Sequence, residues 1–404
     1  MGRLPTGASL QNIVSTAVET LKPPATGIGL LGWLRKHLFS TWYNALLSVF
    51  ALWLLYVLVS ALYTAVTTAN WDVVSVNLRL FMIGRYPVEQ AWRVQVVVSM
   101  LALLLGAAWG AWRGILRTLA LGVGALFLTL ALLPFDLNAR LWLAANLLLL
   151  ALGFGIGHIT RARRLVSLAW LASLPVTAVL LYGAAVLPAV TTDLWGGLLL
   201  TFTLAVSGIV LSFPLGVALA VGRQSSYPVM RVFCTLFIEV IRGVPLITVL
   251  FMMQIMLQLF LPEGITLERV FRAIAGFTVF TAAYLAEVVR GGLQSIGRGQ
   301  SEAAKALGLN GLQILWLIIL PQALRAVIPA LVGQFISLFK DTSLVAIVGL
   351  LDLTGIANAV VQQQAFLGLQ REVYLFIAAL YFACATSMSW ASRRIESTLG
   401  VGER

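Results

Sequence analysis

The stretch Ser301-Glu302-Ala303-Ala304-Lys305-Ala306-Leu307-Gly308, followed by an apolar run from Leu312 to Leu320 and then Pro321, decides how this chain is read. A charged, Ala-rich helix former has no place in lipid, yet long apolar segments flank it. It is therefore a structured loop at a membrane face. A plain loop needs only polarity. This one combines helix chemistry, small side chains, a closing Gly and a Pro stop, which suits docking into a groove on another protein.

Working outward, composition sets the class. Of 404 residues, 60% are hydrophobic and 10% charged, and the mean hydropathy is +0.96. A soluble chain carries about 25% charged residues, so an integral membrane protein is expected. The net charge of +12 does not point to nucleic acid. Its basic residues sit in short loops between apolar runs, where they set topology. Cys234 and Cys384 both lie inside apolar runs, which argues against a disulfide framework. Residues 1–40 are mixed in character, and the first apolar run is too long for the core of a signal peptide, so an uncleaved first helix is expected.

A helix needs roughly 20 apolar residues to span a bilayer. Candidate spans are Trp42–Ala65, Val94–Trp112, Leu116–Leu133, Leu141–Ile159, Val166–Leu187, Gly197–Val221, Val232–Leu261, Phe271–Val289, Val327–Leu350 and Val373–Ala391. Backbone groups in lipid must be satisfied within the segment, and runs this long are helices. The expected fold is an all-α polytopic bundle of about ten spans. Gly153-Phe154-Gly155-Ile156-Gly157 is read as a close helix contact. Arg35 and Lys36, Arg113 and Arg117, Arg161 to Arg164, Arg223 and Arg231, Arg290 to Lys305, and Arg393 and Arg394 fall on alternate faces. If that face is cytoplasmic, both termini and the Glu302 loop are inside. The segment Thr67 to Arg93, with Arg79, Arg85 and Arg93, is a lone contrary loop.

The chain changes character near Thr191. Before it, five spans carry few intramembrane charges. After it, Glu239 and Arg242 lie three apart in one helix, as do Glu287 and Arg290 in the next, and such residues share a helix face. Lys340-Asp341-Thr342-Ser343 is expected well inside the ninth span. A charge at a helix centre costs about 2.5–3.5 kcal/mol on insertion scales, so these residues face the bundle interior and pair. They either lock helices together or line a pathway or gate. Pro245 is expected to kink its helix.

Other chemistries find no support. No phosphate-binding G-x-x-x-x-G-K-[ST] occurs, His37 and His158 lie apart at membrane borders with no metal-ligand spacing, and no G-x-S-x-G turn is present. No catalytic residue, metal or nucleic-acid partner is assigned.

From Glu302 the order is Glu-Ala-Ala, three residues, Gly308, nine residues, Ile318, one residue, Leu320-Pro321. This resembles the cytoplasmic-loop signature of the membrane subunits of bacterial ABC importers. Phe237 to Leu246, Ala283 to Gly292, Gly299-Gln300, Leu320 to Ala323 and Lys340 to Leu344 are similar to the polar amino acid branch. The likeness covers roughly residues 192 to 395. Asn77 to Phe81, Gly84 to Pro87 and Trp92-Arg93 look like the N-terminal extension of M-type permease subunits of general L-amino-acid importers.

The resemblance implies a division of labour. A type I importer permease core of five spans (191–395) would follow a five-helix extension (41–190) that has a periplasmic loop near 67–93. A cytoplasmic coupling loop (292–322) would dock on an ABC-type ATPase dimer, with 1–40 and 396–404 cytoplasmic. Glu302, Ala303, Ala304, Gly308, Ile318, Leu320 and Pro321 would form the coupling surface. Glu302 is expected in the first helical turn, at the positive end of the helix dipole. Ala303, Ala304 and Ala306 would keep the helix thin, and Gly308 would end it. Glu239, Arg242, Gly243, Pro245, Glu287, Arg290, Lys340, Asp341, Thr342 and Ser343 would line the pathway or gate. ATP and Mg would sit on the ATPase. A second, different permease, a periplasmic solute-binding protein, an amino acid substrate and the inner-membrane bilayer complete the expected partners. The rival is an ion-gradient-driven secondary amino acid transporter, which usually shows repeated halves with helices interrupted in matching places; here motifs and charges crowd the second half.

Overall fold

The computed structural model describes residues 33–34, 37–112, 114–133, 136–160, 163–184 and 187–399. Most of the expected N-terminal segment 1–40 and part of the tail 396–404 lie outside the described residues, as do Arg35, Lys36, Arg113 and Arg161. Among the described residues the regular structure is helical and no strand forms. Nine of these helices are long and apolar enough to cross a bilayer, or ten spans if one sharply bent pair counts as a single crossing. The chain is an all-α polytopic membrane protein.

Residues 1–69 and 70–404 form separate units. The first contains α1 (Trp42–Thr67), whose 26 residues include none that is buried. A helix apolar on all sides suits lipid contact.

The second unit opens with two short helices, α2 (Asp72–Val76) and α3 (Leu78–Ile83). Four long ones follow: α4 (Trp92–Trp112), α5 (Ile115–Leu132), α6 (Leu137–Thr160) and α7 (Arg163–Tyr182). A Cβ on Gly106 would lie 2.1 Å from the Leu150 carbonyl oxygen, and one on Gly153 2.1 Å from that of Leu103. Only glycine allows α4 and α6 this approach, which without a hydrophobic drive between helices is how backbones gain packing in a bilayer.

Next come α8 (Gly197–Arg223), α9 (Pro228–Arg242), α10 (Leu246–Phe260), α11 (Arg269–Ser295), α12 (Arg298–Ala306), α13 (Leu320–Asp341), α14 (Leu353–Val361) and α15 (Gln370–Leu399). Small buried residues, among them Ala220, Ala282, Ala286 and Ala323, let α8, α11 and α13 meet around Ile238 of α9 and Val289 of α11. A second cluster joins Leu200, Leu204, Leu250, Phe277 and Leu338.

The segment before α4 is not peripheral. Val73 and Phe81 are fully buried among Leu353, Ile356 and Val360 of α14 and Val373 of α15. At φ +64°, Gly84 brings its backbone against Gly196, where a Cβ would lie 2.4 Å from the Gly196 Cα. Asp352, fully buried, caps α14 by accepting from the Gly355 N–H (2.9 Å) and Thr354 N–H (3.2 Å), and also from the Tyr381 hydroxyl (3.1 Å). Desolvation raises its carboxyl to about 6 against these favourable donors.

Four expectations are corrected. Val232–Leu261 is not one continuous helix: α9 and α10 meet at 107°. Pro245 has no N–H to continue a helix, and the residue before a proline is pushed out of the helical region. Pro321 does not stop its helix but stands second in α13. A π-helical turn, Ile314–Ile319, leads into it. The span expected over Val327–Leu350 ends at Asp341 and tightens into a 3-10 turn, Thr342–Ala346, so Lys340-Asp341-Thr342-Ser343 lies at a helix end, not well inside a span. Glu302 falls on the fifth residue of α12, past its first turn. The short helix α14 lies within a stretch for which the sequence predicts no helix.

Candidate functional site

Three helices bring their charged ends together. A Cβ on Gly216 would lie 2.8 Å from the Leu285 Cβ, and one on Gly222 2.5 Å from the Cys234 sulfur, so α8 lies hard against α11 and α9. This sets Arg223, in the last turn of α8, between two carboxylates. It donates to Glu239 at 2.8 Å and to Glu287 at 3.2 Å. Arg242 reaches Glu287 at 3.7 Å, and Arg290 grips both Glu287 oxygens, one at 3.0 Å. Gln294 accepts the remaining Arg290 donor at 2.8 Å. Glu287 is therefore the hub. Its side chain is 26% exposed against 55% for Glu239. Three guanidinium groups against two carboxylates leave the cluster at 3 − 2 = +1.

The same-face rule is met only in part. Glu287 and Arg290 pair within α11, while Glu239 and Arg242 each reach across to another helix. Arg242 also lies 5.5 Å from the Tyr284 ring, within cation–π range. Gly243 closes α9 by donating to the Glu239 carbonyl at 3.0 Å, and the chain turns at Val244-Pro245 into α10. The charged network thus borders the 107° bend between α9 and α10.

Past α11 the chain leaves the bundle as α12. Ala304 is buried, and α12 packs on the π turn. Glu302, Ala303, Lys305, Ala306 and Gly308 remain exposed. Gly308 takes φ +78° after the helix, a left-handed position that disfavours a side chain. Beyond it Asn310 and Gln313 cap each other reciprocally at 3.0 and 2.9 Å. Leu307 (82%), Leu312 (71%), Trp316 (58%) and Leu317 (65%) are exposed around this knob. Ile318 is half-buried, Leu320 buried and Pro321 exposed at its base. Gln322 of α13 donates to Gln300 of α12 at 3.3 Å and to the Ile318 carbonyl at 2.8 Å, tying the knob to the bundle.

Lys340 to Ser343 stand apart from these groups. From Leu320, beside the knob, to Asp341 is about 31 Å of helix. Lys340 is exposed and Asp341 half-buried; Thr342 is buried with its hydroxyl on the Phe339 carbonyl at 2.7 Å, and Ser343 donates to the Lys340 carbonyl at 2.8 Å. The candidate residues therefore fall into two places at opposite ends of α13.

The family described as binding-protein-dependent transport system inner membrane component matches residues 212–401. An inner membrane amino-acid ABC transporter permease protein of Escherichia coli is 37% identical over 386 residues, covering 92% of this chain and 93% of the relative. The chain belongs to the amino-acid ABC transporter permeases. A glutamate/glutamine/aspartate/asparagine transport system permease protein of Rhodobacter capsulatus is 38% identical, covering 96% of this permease and 98% of its own length. A probable glutamine ABC transporter permease of Bacillus subtilis is 40% identical but covers only 50% of this permease and 92% of itself.

Sequence reasoning missed two parts of the permease. From the sequence Arg223 reads only as a topology marker, because a basic residue at a helix end needs no other explanation. The Gln300–Gln322 contact lay unread inside two motif segments, since neither glutamine carries charge that demands a partner.

Proposed function

We propose that this permease forms one half of the membrane pathway of an ATP-driven importer that carries L-amino acids from periplasm to cytoplasm. The observation that carries the reading is the knob at α12. Exposed Leu307, Leu312, Trp316 and Leu317 accompany an Ala-rich helix braced through Ala304 and Gln322. An apolar, polar-rimmed projection suits a groove on a protein partner, and the partner is an ABC-type ATPase dimer that holds ATP and Mg. In this reading the knob and both termini are cytoplasmic, which the distribution of basic loops favours. A solute-binding protein delivers substrate at the opposite face. A second, different permease subunit completes the pore.

In this reading the ATPase stroke enters at Glu302, Ala303, Ala304 and Gly308 and passes through Ile318, Leu320 and Pro321 into α13. The stroke then reaches the bundle, where Glu239, Arg242, Gly243, Pro245, Glu287 and Arg290 form the cytoplasmic gate and Lys340, Asp341, Thr342 and Ser343 border the outer end. The test is uptake into vesicles carrying the permease with its ATPase, second permease and binding protein. ATP-dependent, vanadate-sensitive uptake of radiolabelled amino acids is expected. Uptake driven by an ion gradient without ATP would refute the proposal.

A further inference from the structure

The glycine contact between α4 and α6 is not repeated on α5. Gly122 and Gly155 face open space, and a Cβ on Gly124 would meet only Leu147, at 3.8 Å. Where α5 begins, a groove of about 700 Å³ opens, lined by Trp109, Gly114, Arg117, Thr118, Leu121 and Phe154. One wall is the Trp109–Phe154 ring pair, with centroids 4.4 Å apart. On the other side stand the exposed Arg117 and Thr118.

The surrounding charge has one sign. Arg163 and Arg164 begin α7 at this same end, where the Arg163 Nε donates to the Ala111 carbonyl at 3.3 Å, and His158 stacks on Phe154 at 5.6 Å. Between Glu89 and Asp193 the sequence holds one acidic residue, Asp136, placed at the far ends of α5 and α6. Loop arginines suffice to orient a helix pair, but orientation does not require an aromatic-walled slot beside them. We infer that the groove binds an anionic phospholipid, its phosphate on Arg117 and Thr118 and an acyl chain along Trp109, Leu121 and Phe154. Basic pockets between transmembrane helices take such headgroups, and a free phosphate would leave the aromatic wall unused.

The test is native mass spectrometry of the full chain, purified in detergent and offered phosphatidylglycerol and phosphatidylcholine of matched chains. Wild type is expected to retain phosphatidylglycerol preferentially. Arg117→Gln should lower that retention about five- to tenfold, the worth of one surface guanidinium, and leave phosphatidylcholine unchanged. Arg164→Gln should have a smaller effect, and Leu121→Trp, which fills the slot, should reduce phosphatidylglycerol retention with every charge intact. The inference is overturned if Arg117→Gln and Arg164→Gln act equally, since that is diffuse charge, not a site. It also falls if Leu121→Trp changes nothing or if millimolar inorganic phosphate displaces the lipid.

Discussion

Replace Glu287 by Gln, which keeps the shape and removes the charge. Arg223, Arg242 and Arg290 then converge on a neutral amide with only Glu239 near, and the cluster moves from +1 to 3 − 1 = +2. Each pair about 4 Å apart is worth about 4 kcal/mol gross at the effective dielectric of a protein surface, but desolvation and side-chain entropy cancel most of it. Removing one partner of a buried pair costs about 3–5 kcal/mol, and of an exposed pair about 0–1. With Glu287 a quarter exposed and holding three partners, about 2–3 kcal/mol is expected, or roughly 30- to 150-fold in the folding equilibrium. A melting experiment on the detergent-purified chain of 404 residues should register a drop of roughly 2–4 °C. Glu239→Gln, at an exposed carboxylate with one partner, should cost under about 1 kcal/mol. Glu287→Gln with Arg290→Gln returns the cluster to +1 and should recover part of the loss. If Glu239→Gln destabilises as much as Glu287→Gln, or the double variant is no better than the single, then Glu287 is not the hub and the helix ends are held by packing alone.

Glu302→Lys and Gly308→Asp should each abolish ATP-driven uptake while leaving the chain in the membrane; unchanged uptake and ATPase co-purification would remove α12 from the drive train. Asp341→Asn should alter transport without loosening the ATPase, since it stands at the other end of α13, and an unaltered transport rate would return Asp341 to packing. Asp352 gives a pH dependence. Its folded value, about 6, lies above the ordinary 3.8, so the folded state binds the extra proton. The associated stability is fully present below about pH 4 and falls as pH rises through 6, by up to about 3 kcal/mol. Melting between pH 4 and 7 should show this slope in wild type and lose it in Asp352→Asn; parallel curves would exclude Asp352 as its source.

Long spans were legible because a bilayer demands unbroken apolar length, and Trp42, Trp92 and Gly197 mark starts within two residues of expectation. The α9–α10 corner was legible only as a kink: apolar residues continue through Val244-Pro245-Leu246, and hydropathy is blind to direction. The end of α13 was hidden the same way, because Leu344 to Leu350 read as more helix while the backbone had already tightened at Thr342. Glu287 and Arg290 announced their own contact through spacing. The third partner, Arg223, is 64 residues away in sequence, and only the small residues at Gly216 and Gly222 bring it home. At α12 the motif gave the helix and its Gly terminus, but the position of Glu302 depended on where the helix starts, and Gly297 carried no capping signal.

The half-size Bacillus relative invites the thought that everything upstream of Thr191 is luggage. It is not. Val73 and Phe81 roof the oily surfaces of α14 and α15, and Gly84 is seated on Gly196 with no room for a methyl. Cut the chain at residue 191 and Leu353, Ile356 and Val360 lose the cover of Val73 and Phe81, so the shortened product should lose that packing. A compact version of this transporter would have to be re-roofed, not merely trimmed.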